Sequence, residues 1–205
     1  MSVMVLAGGD SRRMGTNKAL LELPSGETLI ERVLNTLRPL SDDLLIVSNT
    51  PDLYAHLDAR QVSDEFAGAG PLAGLHAGLH AARHDWTFAV ACDMPLVDHR
   101  LVRFMAVLTE GYDAIVPWVD GELEPLHALY NKRCLPAITG HLEAGHRRMI
   151  AFLGDVRVRR VEANEIALFD PEGRSFFNAN TPEDWQRLQE LVSEPARRRS
   201  TRKDS

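Results

Sequence analysis

Cysteine is scarce in this chain: Cys92 and Cys134 are the two among 205 residues, and neither has a CxxC partner. That pattern argues against a disulfide framework and makes a reducing cytoplasm the expected setting. Long apolar runs are missing as well. No stretch approaches the roughly 18 apolar residues that span a bilayer, and residues 1–7 lack the length and basic flank of an export signal, so no membrane partner is expected. Positive charge is outnumbered, with 23 Lys and Arg against 29 Asp and Glu for a net charge of −6. Five basic side chains fall in the last ten residues against Asp204, so the rest carries about −10, a balance that disfavours a nucleic-acid partner. Internal repeats, a His-Glu-x-x-His pair and an evident Ser/His/Asp or Cys/His set are also absent.

Two familiar nucleotide loops are absent too. A Walker loop has four residues between its glycines and a lysine directly after the second; here five separate Gly9 from Gly15, and Lys18 arrives two residues late. A dinucleotide fingerprint needs Gly-x-Gly-x-x-Gly, onto which Gly8-Gly9 cannot be threaded. What the stretch does contain is an apolar run over residues 3–7, paired glycines, then Arg12, Arg13 and Lys18 within one loop's length. Glycines let a backbone bend closely around a ligand, and its N–H groups with three cations converge on something strongly anionic. A polyphosphate fits that description.

With 44% apolar residues the chain can build a core, and we expect one domain over residues 1–194 followed by a disordered basic tail over 195–205. Thr28 is placed to cap a helix in which Leu29, Ile30, Val33, Leu34, Leu37 and Leu40 recur at helical spacing, fraying at Pro39. Leu44–Val47 is a bare apolar run of the kind buried on both faces of a parallel sheet. A third strand around Val62 ends at Asp64, a helix opens at Gly70-Pro71, and a fourth strand over Trp86–Ala91 ends at Cys92-Asp93. Strands at 114–119, 125–130 and 156–161 and a helix over 132–142 suggest a more mixed second half. Thr181-Pro182-Glu183-Asp184 starts a last helix running to about Val192. The fold class is therefore α/β: three layers around a doubly wound, mostly parallel sheet, with a mixed C-terminal half. In such sheets ligands gather beyond the carboxyl ends of the strands, where Gly8, Gly9, Ser48, Asn49, Asp64 and Asp93 would meet.

Magnesium takes oxygen ligands and usually sits between one or two carboxylates and a substrate's phosphates. Asp93 is the candidate metal ligand, with Asp64 next; aspartates also end strands simply by capping turns. His76, His80 and His84 lie four apart and invite a zinc reading, but they flank an apolar helix face, where a solvated stripe is the expectation. His127 serves a phosphate or fills a pocket, and Arg147 and Arg148 serve an anion or water.

Leu6-Ala7-Gly8-Gly9, Ser11, Arg13-Met14-Gly15 and Lys18 together resemble the signature of molybdenum cofactor guanylyltransferases, within the wider Rossmann-like nucleotidyltransferases. The resemblance continues through Asp64 before Gly70-Pro71-Leu72-Ala73-Gly74, Cys92-Asp93-Met94-Pro95, the strand from Pro125 to Tyr130 and Asn178-Ala179-Asn180-Thr181-Pro182-Glu183. Ala67 stands where the family commonly has proline. The resemblance implies transfer of GMP from GTP to molybdopterin with Mg²⁺ as cofactor, or of CMP in a sister branch; a catalytically silent nucleotide-binding regulator is the alternative from another class. It further implies a nucleotide-binding first half, with Lys18, Arg13 and Asp93 catalytic and Leu6, Ala7, Gly8, Gly9, Lys18, Ser48, Asp64 and Asp93 around the nucleotide. The second half would hold the acceptor, with Gly70, Pro71, His127, Asn178 and Asn180 beside it. Molybdoenzyme chaperones or cofactor-insertion proteins are the further partners it suggests.

Overall fold

A computed structural model describes residues 1–8, 17–66 and 68–193. Gly9, Arg12 and Arg13 in the opening loop, Ala67 and the basic tail lie outside the described residues. Eight strands form one sheet: β1 (Ser2–Leu6), β2 (Leu44–Val47), β3 (Arg60–Val62), β4 (Trp86–Ala91), β5 (Ala114–Val119), β6 (Glu122–Leu123), β7 (His127–Asn131) and β8 (Val158–Val161). The helices are α1 (Leu29–Leu37), α2 (Pro71–Ala81), α3 (His99–Val107), α4 (Leu135–Glu143), α5 (Ala163–Ile166) and α6 (Pro182–Ser193). Strand order is β3-β2-β1-β4-β7-β5-β6, with β8 pairing β5. β1 to β4 are mutually parallel, whereas β7 runs antiparallel to β4 and β5, and β6 antiparallel to β5. The sheet is thus mixed on one flank, as the sequence pattern suggests.

Alternation along the strands makes the three layers. Val3 and Val5 of β1 face one core with Ile30 and Val33 of α1 and Leu101 and Met105 of α3, while Met4 and Leu6 face the other with Leu72 and Leu75 of α2 and Ile138 of α4. Because the central strands are covered on both sides, they read as unbroken apolar runs. α1 begins where expected: Thr28 Oγ1 accepts the Glu31 N–H, and the Glu31 carboxylate accepts the Thr28 N–H, a reciprocal cap. α2 lies close against β1 because it carries glycine at the contact. A Cβ at Gly78 would fall 2.5 Å from Met4 Sδ, so a side chain there would have to displace the buried Met4 side chain. Among the described residues no helix is long and apolar enough to cross a membrane.

At the opposite edge of the sheet from the strand tips, buried Asp43 fastens the strand starts. It accepts Ser2 Oγ at 2.5 Å, the Arg83 N–H at 2.8 Å and two bonds from Arg60 at 2.9 and 2.7 Å. Burial opposes the charge, but these donors outweigh it and hold the carboxyl below its usual range.

Candidate active site

Since β1 to β4 are parallel, their carboxyl ends open on one side, and the residues after Leu6, Val47, Val62 and Ala91 surround one crevice. The last ladder bonds run from Ala7 N–H to Val47 C=O and from Cys92 N–H to Leu6 C=O. The chain leaves the sheet at exposed Gly8, while Leu6 stays buried in the core. At the tip of β2, Ser48 is buried and its hydroxyl turns back to Thr50, accepting that residue's N–H at 3.1 Å. Asn49 is exposed, and its amide exchanges two bonds with Asp64, donating to Oδ2 at 2.7 Å and accepting the Asp64 N–H at 3.2 Å. Asp64 Oδ1 is buried and without a hydrogen-bond partner among the described residues, an acceptor that a ligand can satisfy.

Lys18 is set by local structure and then tied across the molecule. Asn17 caps a short 3₁₀ turn over Lys18–Leu20 through its Oδ1, and its amide donates to the buried Tyr54 hydroxyl at 2.8 Å. Tyr54 in turn donates to the Ala7 carbonyl at 3.4 Å, linking the turn to the end of β1. The Lys18 ammonium donates to the Asn180 carbonyl at 3.0 Å and to Asn180 Oδ1 at 3.1 Å. One residue earlier, the Ala179 N–H donates to the Asp93 carbonyl at 3.1 Å. The strap over residues 178–180 thus fixes Lys18 and Asp93 on the same side of the sheet. Its far end is anchored by Asp184, which accepts the N–H groups of Asn180 and Thr181 while Thr181 caps the Asp184 N–H.

Asp93 is partly buried, and burial pushes its carboxyl up despite the nearby Lys18 charge. Among the described residues no side chain hydrogen-bonds its oxygens, and no group of three or more His, Cys, Asp or Glu is placed to cage a metal. A single hard oxygen donor at a crevice fits Mg²⁺ shared with phosphates, because that ion keeps several waters and seldom uses an all-protein cage. Desolvation and the adjacent Asp93 drive the Cys92 thiol up to about 12, so it is no nucleophile near neutral pH.

The remaining expectations divide. Gly70, at a φ of 72°, turns the chain into α2 with Pro71 in the first turn, and both are exposed at the crevice end of the sheet. Asn178 is half-buried and donates to the Phe176 carbonyl at 3.3 Å. His127, at the start of β7, is fully buried between Phe88 and Phe176. Desolvation holds it down to about 3, a neutral ring with no partner for either nitrogen among the described residues. The helix histidines also separate: His76 is half-buried and contacts Thr139 at 3.1 Å, whereas His84 pairs with Asp42 at 2.7 Å. Only part of that stripe is the solvated flank anticipated. Arg147 donates to the Gly68 carbonyl, tying its loop to the approach to α2.

One group that the sequence did not single out is Glu124. The pairings Ile115 to Leu129 and Trp118 to Leu123 are out of step, so the strand returning from β5 holds three extra residues. Pro125 has no N–H to continue a ladder, and the bulge sits beside β4, where Leu126 C=O accepts the Ala91 N–H at 3.1 Å. Glu124 thereby faces a cavity of about 740 Å³ between the β5–β6 hairpin and α6, with Phe176 and Phe177 on another wall. Burial pushes the Glu124 carboxyl up, and the Leu126 N–H partly offsets this.

Comparison with known proteins accounts for this arrangement. The model of the MobA-like NTP transferase domain matches residues 3–160. A probable molybdenum cofactor guanylyltransferase of Carboxydothermus hydrogenoformans is 37% identical, covering 94% of this chain and 97% of its own. One of Pelotomaculum thermopropionicum is 43% identical over 88% of each chain. The solved structure of molybdopterin-guanine dinucleotide biosynthesis protein A from Archaeoglobus fulgidus is 31% identical, covers 94% of this chain and 99% of its own, and superposes with a TM-score of 0.83. Matched by that family over residues 3–160 and by these relatives over most of its length, the chain belongs to the MobA-like nucleotidyltransferases, the family of the molybdenum cofactor guanylyltransferases.

Proposed function

We propose that this protein transfers GMP from GTP to the terminal phosphate of the molybdenum-bearing molybdopterin, giving molybdopterin guanine dinucleotide and pyrophosphate. The observation that carries the reading is the strap: Asn180 on Lys18 and Ala179 on Asp93 put a cation and a carboxylate at one crevice. The names of the relatives support the choice of nucleotide and acceptor.

The chemistry needs little from the protein beyond position and charge. A phosphate monoester is already ionised near neutral pH, so its oxygen attacks the α-phosphorus without a protein base. The new P–O bond forms as the bond from the α-phosphorus to the bridging oxygen breaks, and pyrophosphate leaves with that electron pair. Lys18, with Arg13 from the opening loop, offsets charge on the phosphoryl oxygens and on the departing pyrophosphate. Asp93 would hold Mg²⁺, which when bound supplies further neutralisation of the phosphates. Gly8 and Gly9 admit the triphosphate, and Asp64 with Asn49 holds the nucleoside side. Asn178 and Asn180 border the acceptor, with Gly70 and Pro71 beside its reacting phosphate alone, keeping that phosphate in line with the leaving group.

Pyrophosphate release with GTP against CTP, in the presence of Mg²⁺ and loaded molybdopterin, tests the reading. Faster release with GTP is expected. Preference for CTP would make the protein a cytidylyltransferase, and no release with either would leave a nucleotide-binding regulator.

A further inference from the structure

The strand order divides the crevice in two. Asp93 ends β4 in the middle of the sheet; the tips of β1, β2 and β3 lie on one side of it, and β7, β5 and β6 on the other. Asn49 and Asp64 belong to the first side, and the cavity faced by Glu124 belongs to the second. A molecule whose reacting phosphate sits at Asp93 has its remaining bulk on this second side if the nucleoside occupies the first.

The cavity's charge says what that bulk is. Asp120, Glu122, Glu124 and Glu172 line it against Arg174 and Arg187, and Glu172 is ion-paired with Arg174 at 2.6 Å. A wall with surplus carboxylate repels a second phosphate and suits a neutral ring rich in N–H donors. Phe176 and Phe177 offer that ring apolar surface, and about 740 Å³ is ample for a two-ring heterocycle. Glu124 is the carboxylate placed by the backbone, where the bulge brings it onto the cavity wall.

We infer that Glu124 is a specificity-determining residue for the acceptor, its carboxylate accepting two parallel N–H bonds from the 2-amino-4-oxopyrimidine edge of a pterin. That edge, an amino group beside a ring N–H, resembles a guanidinium in shape and pairs bidentately with a carboxylate. Guanine carries the same edge, so the shared chemistry has two sources, the acceptor's pterin and the base of GTP. The side of the sheet assigns Glu124 to the pterin. The inference rests on the acceptor named above, but the cavity's choice of ring can be read without turnover.

The experiment uses the full chain and its Glu124→Gln and Glu124→Ala variants, with free pterin and lumazine as fluorescent probes. Lumazine has oxygen where pterin has the 2-amino group. The wild type is expected to bind pterin roughly tenfold tighter than lumazine, a preference lost in Glu124→Ala and reduced in Glu124→Gln, with GTP affinity unchanged in both. Equal binding of the two probes by the wild type overturns the assignment, as does a preference that survives both substitutions. A fall in GTP affinity with pterin binding intact also overturns it, since Glu124 would then read guanine. Should Glu124→Ala lose its thermal transition, the size-matched Glu124→Gln carries the test. If the probes behave as expected but no dinucleotide forms from GTP, the proposed reaction fails while the pterin subsite stands.

Discussion

Replacing Asn180 with alanine separates nucleotide binding from transfer. The Lys18 ammonium makes two bonds to Asn180, one to the backbone carbonyl at 3.0 Å and one to the side-chain Oδ1 at 3.1 Å. On the proposed reading the triphosphate draws Lys18 away from both, although its third N–H is free of them. Alanine removes the Oδ1 bond alone, since the carbonyl and the bonds from Asp184 to the backbone of Asn180 and Thr181 remain. A bond to a charged group is worth about 1.5–3 kcal/mol when sheltered, and exposure at this site brings it to about 1 kcal/mol. Loss of that bond destabilises the free protein relative to the GTP complex, so GTP should bind about fivefold tighter. Turnover should move the opposite way, because the proposed acceptor contact is lost. Calorimetric titration with Mg²⁺ and GTP gives the first quantity, and pyrophosphate release the second. GTP affinity that is unchanged or weaker in Asn180→Ala refutes the reasoning, because Lys18 would not be leaving Asn180 for the phosphates.

Three further outcomes follow from the same geometry. Lys18→Ala should lower turnover at least about tenfold while the thermal transition is retained, and unchanged turnover would remove Lys18 from its assigned role. Tyr54→Phe should cost about 1 kcal/mol of stability through the lost Asn17 bond and weaken GTP a few-fold by loosening the Lys18 turn, both readable in a melt and a titration. Asp43→Ala should destabilise by about 2–3 kcal/mol in a denaturant titration, since buried Ser2 and half-exposed Arg60 lose their acceptor. Because folding depresses the Asp43 carboxyl, its contribution is present above the usual carboxylate range and disappears as pH falls through the folded value; the gap between wild type and Asp43→Ala should narrow in acid.

The parallel half of the sheet was legible because double burial writes itself as bare apolar runs, and α1 because Thr28 and Glu31 announce its start. α3 was not anticipated: its buried stripe is Leu101, Val102 and Met105, diluted by His99, Arg100 and Arg103, although Asp98 caps it by accepting the Arg100 N–H. The antiparallel direction of β7 is set by its partners and leaves no trace in Ala128, Leu129 and Tyr130 themselves. The site divides similarly. Glycines and aspartates after strands mark the crevice, but which of Ser48 and Asn49 reaches it depends on a two-residue turn through Thr50. The bond from Lys18 to Asn180 spans 162 positions and follows from no local pattern. Glu124 was missed because a bulge appears only when two strand registers are compared; Pro125, which interrupts the ladder, was its one signal.

The central claim is that one Mg²⁺-bound triphosphate lies between Lys18 and Asp93. A crystal structure with Mg²⁺ and a non-hydrolysable GTP analogue tests it most directly. The metal is predicted on an Asp93 oxygen at about 2.1 Å, with phosphate oxygens on Lys18 and Asn180 released. A triphosphate bound away from Lys18, or a metal with no Asp93 ligand, would contradict the account.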